Sequence, residues 1–189
     1  MAMPYILKKF DKFKTLFWCN IVNIVLGLVI YFAGYDNKAF FLVMTCIRCV
    51  PLSVVGILNY MFTPDCAEYG QYKSGISAKG ITFAIQTFSV KITGAVSSSL
   101  ALALLGLFSW ITVEAESFAE LQALGIQQSA AGLNGLWFVY AMVPVIGMII
   151  STFFYLFYKL NDKDVQIMAK CNSGEITREE AEKLLSRKY

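Results

Sequence analysis

An all-α integral membrane protein, with four transmembrane helices and a short cytoplasmic helical tail, is what this chain of 189 residues predicts on three observations. Hydrophobic residues make up 57% of it and charged residues 15%, an apolar share above the roughly 45–50% of soluble domains. Four apolar stretches, at about 16–34, 39–63, 80–111 and 133–159, reach the ~17–25 residues that carry a helix across a ~30 Å hydrocarbon core. None alternates with the period of 2 that a barrel strand requires. Basic residues also collect on alternate connections, as they do when every other connection stays in the cytoplasm.

The elements follow in order. Residues 1–15 form a cytoplasmic arm bearing Lys8, Lys9, Lys12 and Lys14. The apolar run after it is too long for a signal-peptide core and no small-residue cleavage site follows, so it reads as a retained helix. On this first span Asn20, Asn23 and Gly27 recur at helical spacing, and the asparagines are expected to bond between helices. The second span carries Arg48 and Pro51; the proline removes the amide that would bond to Ile47 and loosens the helix beside the arginine. A loop is expected from Pro64 to Lys79, with Lys73 and Lys79 on the inner side.

The third span holds a run of small residues between Thr93 and Ala103, which lets helix backbones approach closely. Thr87, Lys91, Gly94 and Ser98 fall on one stripe of it. The next connection is acidic, with Glu114, Glu116 and Glu120. Trp18, Trp110 and Trp137 lie near span ends, where interfacial anchoring is the usual role, and none is assigned to a ligand. The membrane region spans 16–160, and the tail covers 161–189. In the tail Asp162 caps a short helix through Ala169, Asn172-Ser173-Gly174 breaks it, and Thr177 with Glu180 has capping-box spacing for a last helix. The charge pattern places a multi-pass chain in the cell membrane with both termini cytoplasmic.

Several functions are disfavoured by composition. There is no histidine, and the five cysteines at 19, 46, 49, 66 and 171 are scattered, so neither a metal set nor a disulfide framework is implied. Cys46 and Cys49 have CxxC spacing but sit inside an apolar helix, where they serve as small packing residues. No nucleophile has a plausible base, which argues against an enzyme. The net charge of +3 adds nothing about nucleic acid, since topology explains the basic residues; the partner that the apolar spans imply is membrane lipid.

Two charges lie inside apolar spans. Lys91 is roughly 15 Å past Ile81, near the midplane, where a cation is costly and normally lines a cavity or meets an anion. Arg48 is about 14 Å beyond Ala39, on a helix running the other way, and reaches a similar depth. No span contains an aspartate or glutamate, so compensation has to come from outside these helices or from an anionic substrate. The reading is a membrane transport pathway; the alternative is a self-contained four-helix scaffold or oligomeric channel subunit.

The segment after the second span reads Asp65-Cys-Ala-Glu68-Tyr69-Gly70-Gln-Tyr72-Lys73-Ser74-Gly75, and the third span continues with Gln86-Thr87 and Lys91. This resembles the D-x-x-[DE]-Y-G-x-[WY]-K-[ST]-G segment between the tenth and eleventh helices of the glycoside-pentoside-hexuronide:cation symporters, the melibiose-carrier branch of the major facilitator superfamily. Phe157-Tyr158-Lys159-Leu160 is similar to that family's exit from its twelfth helix, and Tyr5 to Thr15 to its link between the eighth and ninth. Ser77 departs from the arginine many members carry, which puts in doubt any ion pair made by that arginine.

The resemblance implies that these four helices are the last four of a twelve-helix carrier, absent its earlier helices, and that the chain would not transport alone. It implies symport of a glycoside, pentoside or hexuronide with Na+ or H+ by alternating access, without a cofactor. Lys91, with Gln86, Thr87 and Arg48, would serve substrate and cation coupling. Asp65, Glu68, Tyr69, Gly70, Tyr72, Lys73 and Gly75 would form a cytoplasmic gate loop whose ion pairs break on inward opening.

Overall fold

The computed structural model describes residues 11–114 and 116–189; the arm lysines Lys8 and Lys9, and Tyr5, lie outside the described residues. Four long helices cross in sequence: α1 (Lys12–Ala33), α2 (Lys38–Ser74), α3 (Lys79–Leu107) and, after the short α4 (Phe118–Leu124), α5 (Ala130–Tyr155). All four long helices are apolar and long enough to span a membrane. The tail adds α6 (Asp162–Asn172) and α7 (Arg178–Leu184).

Helix starts are fixed by side chains that take up otherwise orphaned amides. The Asp11 carboxylate accepts from the Phe13 amide at 2.9 Å, Asn37 from Phe40 at 3.0 Å and Ser129 from Gly132 at 3.0 Å. In the tail the capping box is present, with Thr177 accepting from the Glu180 amide and Glu180 accepting from the Thr177 amide. The first tail helix is capped by Asn161, one residue earlier than the Asp162 expected, and Asp162 occupies its first turn.

The expected loop at 64–79 is mostly helix. α2 continues through both Pro51 and Pro64 to Ser74, and only the residues between Ser74 and Lys79 connect it to α3. Each proline deletes one hydrogen bond. The segment beyond Pro64 is nonetheless held by tertiary contacts of Asp65, Glu68 and Tyr72, described below, which favour the continued helix. It stops at Gly75, whose φ of 73° is left-handed and whose amide returns to the Gln71 carbonyl, a conformation that glycine adopts without steric cost.

α1 packs against α2 and α5, and α3 lies against α2 and α5. The membrane core joins Leu16, Val55 and Leu58 with Phe62 and Tyr155. No residue of α3 is buried, and a side chain added at Gly94 would meet open space. Gly94, in the small-residue stripe expected to press against neighbours, therefore makes no such contact among the described residues.

A second core lies beyond the membrane helices. Tyr72, Met168 and Ala181 are buried together, packed by Tyr69, Leu160 and Leu185. It docks the helical hairpin α6–α7 onto the extension of α2 beyond Pro64.

Candidate functional site

The extension of α2 places Asp65 and Glu68 about one turn apart, and each finds its partners within this chain. Lys12, at the start of α1, donates to both Asp65 oxygens at 2.9 and 2.6 Å, and its ammonium also lies 3.3 Å from Asp162 of α6. The Lys12 amide donates to the same Asp162 at 3.0 Å. One lysine thus ties the start of α1, the extension of α2 and the tail. Glu68 accepts from Lys79, the first residue of α3, at 2.5 Å and from the Asn172 amide group at 2.8 Å.

The remaining motif residues divide by role. Tyr69 sits edge-on to Tyr189 with ring centroids 5.9 Å apart. Tyr72 is buried in the tail core under the Arg178 guanidinium, 5.3 Å from its ring centroid, within cation–π range. Lys73 occupies the last turn of α2, where a cation meets the negative end of the helix dipole. Gly75 closes the helix, and Gly70 faces open space. Sequence reasoning missed Lys12, Asp162 and Asn172 as partners: Lys12 reads as a topology charge, Asp162 as a helix cap and Asn172 as a helix breaker, and each partner lies 53 or more residues away.

The tail has its own electrostatic anchor. Asp164 is buried and accepts from the Ser186 amide at 3.0 Å, the Tyr189 hydroxyl at 2.7 Å, the Asn161 side chain at 2.9 Å and the Ser186 hydroxyl. Burial pushes its carboxyl upward, but these donors outweigh burial and hold it below the usual carboxylate range. The Tyr189 phenol, losing water on burial and donating to that carboxylate, is pushed up to about 12.

Inside the membrane the predicted residues do not converge on one point. Lys91 is exposed on α3, about 18 Å along it from Lys79. The Thr87 hydroxyl donates to the Phe83 carbonyl at 3.0 Å, within its own helix. Gln86 lines a cavity of about 420 Å³ with Asn59, Phe62 and Tyr155, and the Tyr155 hydroxyl bonds the Asn59 carbonyl oxygen. Arg48 lies elsewhere, in the seam of α1, α2 and α5.

At that seam Arg48 is 8% exposed and its Nε has no hydrogen-bond partner among the described residues. It fits because Gly27 has no side chain: a Cβ there would come within 3.1 Å of Nη2 and 2.4 Å of Val145 Cγ2. Asn20 and Asn23 are buried on the same stripe of α1. The Asn23 amide group donates to the Cys19 carbonyl in its own helix, and its Oδ1 is unpartnered. The interhelical bond expected of Asn23 is therefore replaced by an intrahelical one. Trp137, expected as an interfacial anchor, packs against Tyr35, Phe41 and Tyr140, and its indole donates to the Tyr31 carbonyl at 3.1 Å.

Four helices long and apolar enough to cross a membrane, with a charged brace beyond them and Arg48 and Lys91 within them, mark a multi-pass membrane protein. Residues 1–162 match the MFS/sugar transport protein family, and the chain belongs to it. It is 29% identical over 164 residues to a putative sulfoquinovose importer of Salmonella typhimurium, covering 86% of this chain and 32% of that protein. To the isoprimeverose transporter of Lactiplantibacillus pentosus it is 26% identical, covering 88% of this chain and 32% of the transporter. A glucuronide carrier protein homolog of Escherichia coli is 26% identical over 65% of this chain and 24% of the carrier. The chain thus spans about a third of the length of the first two of these relatives. No solved structure matches it. These relatives are transporters and not enzymes.

Proposed function

We propose that this chain supplies the last four helices of a twelve-helix carrier that couples entry of Na+ or H+ to uptake of a sugar or glycoside by alternating access. The observation that carries this reading is the family match over residues 1–162, to which the relatives' names add sugars and sugar acids as the substrate class. The earlier helices of the same carrier cover the open face of α3 and bring the groups that Lys91 meets. The carrier lies in the cell membrane with both termini of this chain in the cytoplasm, as the basic arm and tail favour.

In this reading Lys91, with Gln86 and Thr87, links the substrate to the cation site. A lysine held at mid-depth without an acidic partner in its own bundle is a half-site. The Asp65 and Glu68 pairs keep these helix ends together while the carrier alternates between its two states. Their partners lie in this chain, so they act by holding α1, α2, α3 and the tail as one moving body.

The test is uptake of labelled sugars into vesicles containing the complete carrier, with and without Na+ and with and without a proton gradient. Uptake that rises with either gradient is expected. Uptake that follows the sugar gradient alone, indifferent to both ions, contradicts symport.

A further inference from the structure

Beyond the membrane helices, basic side chains of α2 and of the tail meet at one cavity of about 540 Å³, a volume within the range of small-molecule sites. Its walls include Lys73 of α2, Arg178 and Glu182 of α7, and Leu185, Arg187 and Lys188 of the segment after it. Two anchors hold this cluster in place. Arg178 lies over the buried Tyr72 ring, 5.3 Å from its centroid. Asp164 accepts from both the Ser186 amide and the Tyr189 hydroxyl, so the residues on either side of Arg187 and Lys188 are pinned. Four cations then face one side-chain carboxylate, Glu182, which lies 3.9 Å from Arg178. Lys73, Arg187 and Lys188 form no ion pair among the described residues. Like charges gathered this way repel one another and draw in an anion.

The ligand's chemistry follows from charge, shape and place. A phosphate monoester carries a charge of about −1.5 to −2 at neutral pH, and arginine forks match its oxygens while lysines act on it as point charges. The cavity is larger than a phosphate group alone fills, and Leu185 and Tyr189 give it a side suited to carbon. Lys73 lies eight residues past Asp65, the first charge after the apolar stretch of α2, hence about 12 Å further along the helix. The headgroup layer of one leaflet is only about 5–8 Å deep, so the cavity stands clear of it and faces soluble molecules.

We propose that this cavity binds the phosphate monoester of a small soluble molecule, with Lys73, Arg178, Arg187 and Lys188 around the phosphate and Leu185 and Tyr189 against its carbon body. Because Lys73 belongs to α2 and the other three cations to the tail, the bound anion replaces their repulsion with a bridge and fastens the tail to α2. The site is separate from the transport reading and does not rest on it.

The probes are glycerol 3-phosphate, inorganic phosphate and neutral glycerol, measured by equilibrium binding to the purified complete carrier in uncharged detergent, with amide exchange of α7 followed alongside. Both phosphate probes should bind and compete with each other, glycerol 3-phosphate the more tightly, while glycerol does not bind. Lys73→Gln and Arg187→Gln, both at exposed positions, should each weaken glycerol 3-phosphate about tenfold. Lys170→Gln, in the tail but outside the cavity, should leave it unchanged. At ten times its Kd the probe should slow exchange of α7 about tenfold, and Lys73→Gln should reduce that slowing at the same probe concentration. Should one variant fail to fold, the other and the exchange measurement carry the test. The site is overturned if neither phosphate probe binds, if binding ignores Lys73→Gln and Arg187→Gln, or if Lys170→Gln weakens it equally, as a diffuse basic surface would. Inorganic phosphate binding more tightly than glycerol 3-phosphate overturns the organic ligand. A final arm compares neutral phosphatidylcholine nanodiscs with discs containing phosphatidate. Slower exchange of α7 with phosphatidate and no added probe would make a lipid headgroup the source and overturn the soluble one.

Discussion

Replacing Gly27 by alanine tests the seam that holds α1, α2 and α5 together. The added methyl would sit 2.4 Å from Val145 Cγ2 and 3.1 Å from Arg48 Nη2, whereas two carbons in good contact are about 3.5–4.0 Å apart. Val145 is fully buried and has to move by more than about 1 Å, so α1 and α5 separate or the valine leaves its rotamer. Overpacking of this kind costs about 1–3 kcal/mol. The assay is reversible unfolding in mixed detergent micelles, with Val145→Ala and the double variant alongside. Val145→Ala alone removes buried apolar volume and is expected to cost about 1–2 kcal/mol. In the double variant the smaller residue accepts the new methyl, so its loss should be less than the sum of the single losses by about 1 kcal/mol or more. Additive losses, or Gly27→Ala within about 0.5 kcal/mol of the parent, would refute the close approach.

At the brace around Lys12, Asp65→Asn removes one of the two acids that this lysine holds. Because Asp162 remains, a loss of about 1–3 kcal/mol in the same unfolding assay is expected, with faster proteolysis of the tail; an unaffected tail would show that the brace does not dock it. The depressed Asp164 carboxyl stabilises tail docking above its ordinary pKa of about 3.9, and that contribution is lost as pH falls through its lower folded value. The raised Tyr189 phenol contributes below its ordinary pKa of about 10 and loses that contribution as pH rises through about 12. Amide exchange of α6 should accelerate at both extremes, and Asp164→Asn should flatten the acid limb; a limb unchanged by that substitution contradicts the assignment. For orientation, a reporter active only in the cytoplasm should work after Lys188 and fail after Glu116; activity after Glu116 would overturn the four-span topology.

The four long helices were legible because length and apolar composition report directly on the solvent a helix requires, and their bounds fell within a few residues except at the C-terminal end of α2. There Pro64, followed by charged residues, reads as a chain leaving its helix. What keeps it helical is docking against Lys12 and Asn172, which are far from it in sequence and leave no local trace. The same holds for Asp162, whose partner is an arm lysine that charge counting assigned to topology. The capping box at Thr177 was legible, since its two bonds lie within one turn. Arg48 and Lys91 stood out as charges in apolar runs. That Arg48 lies in the seam by Gly27 while Lys91 lies on the open face of α3 depends on helix rotation, which a run apolar on every side does not encode.

The most direct measurement is sugar uptake and cation affinity of the complete carrier carrying Lys91→Ala, with membrane insertion checked in parallel. If Lys91 links the substrate to the cation site, removing its ammonium leaves the carboxylates of the earlier helices unpaired and raises their proton affinity. The account predicts that coupled uptake collapses and cation affinity shifts while insertion persists, since an apolar side chain enters the membrane more readily than a charged one. Sugar uptake and cation affinity that both survive Lys91→Ala would show that the lysine reaches for the lipid headgroups, and would contradict it.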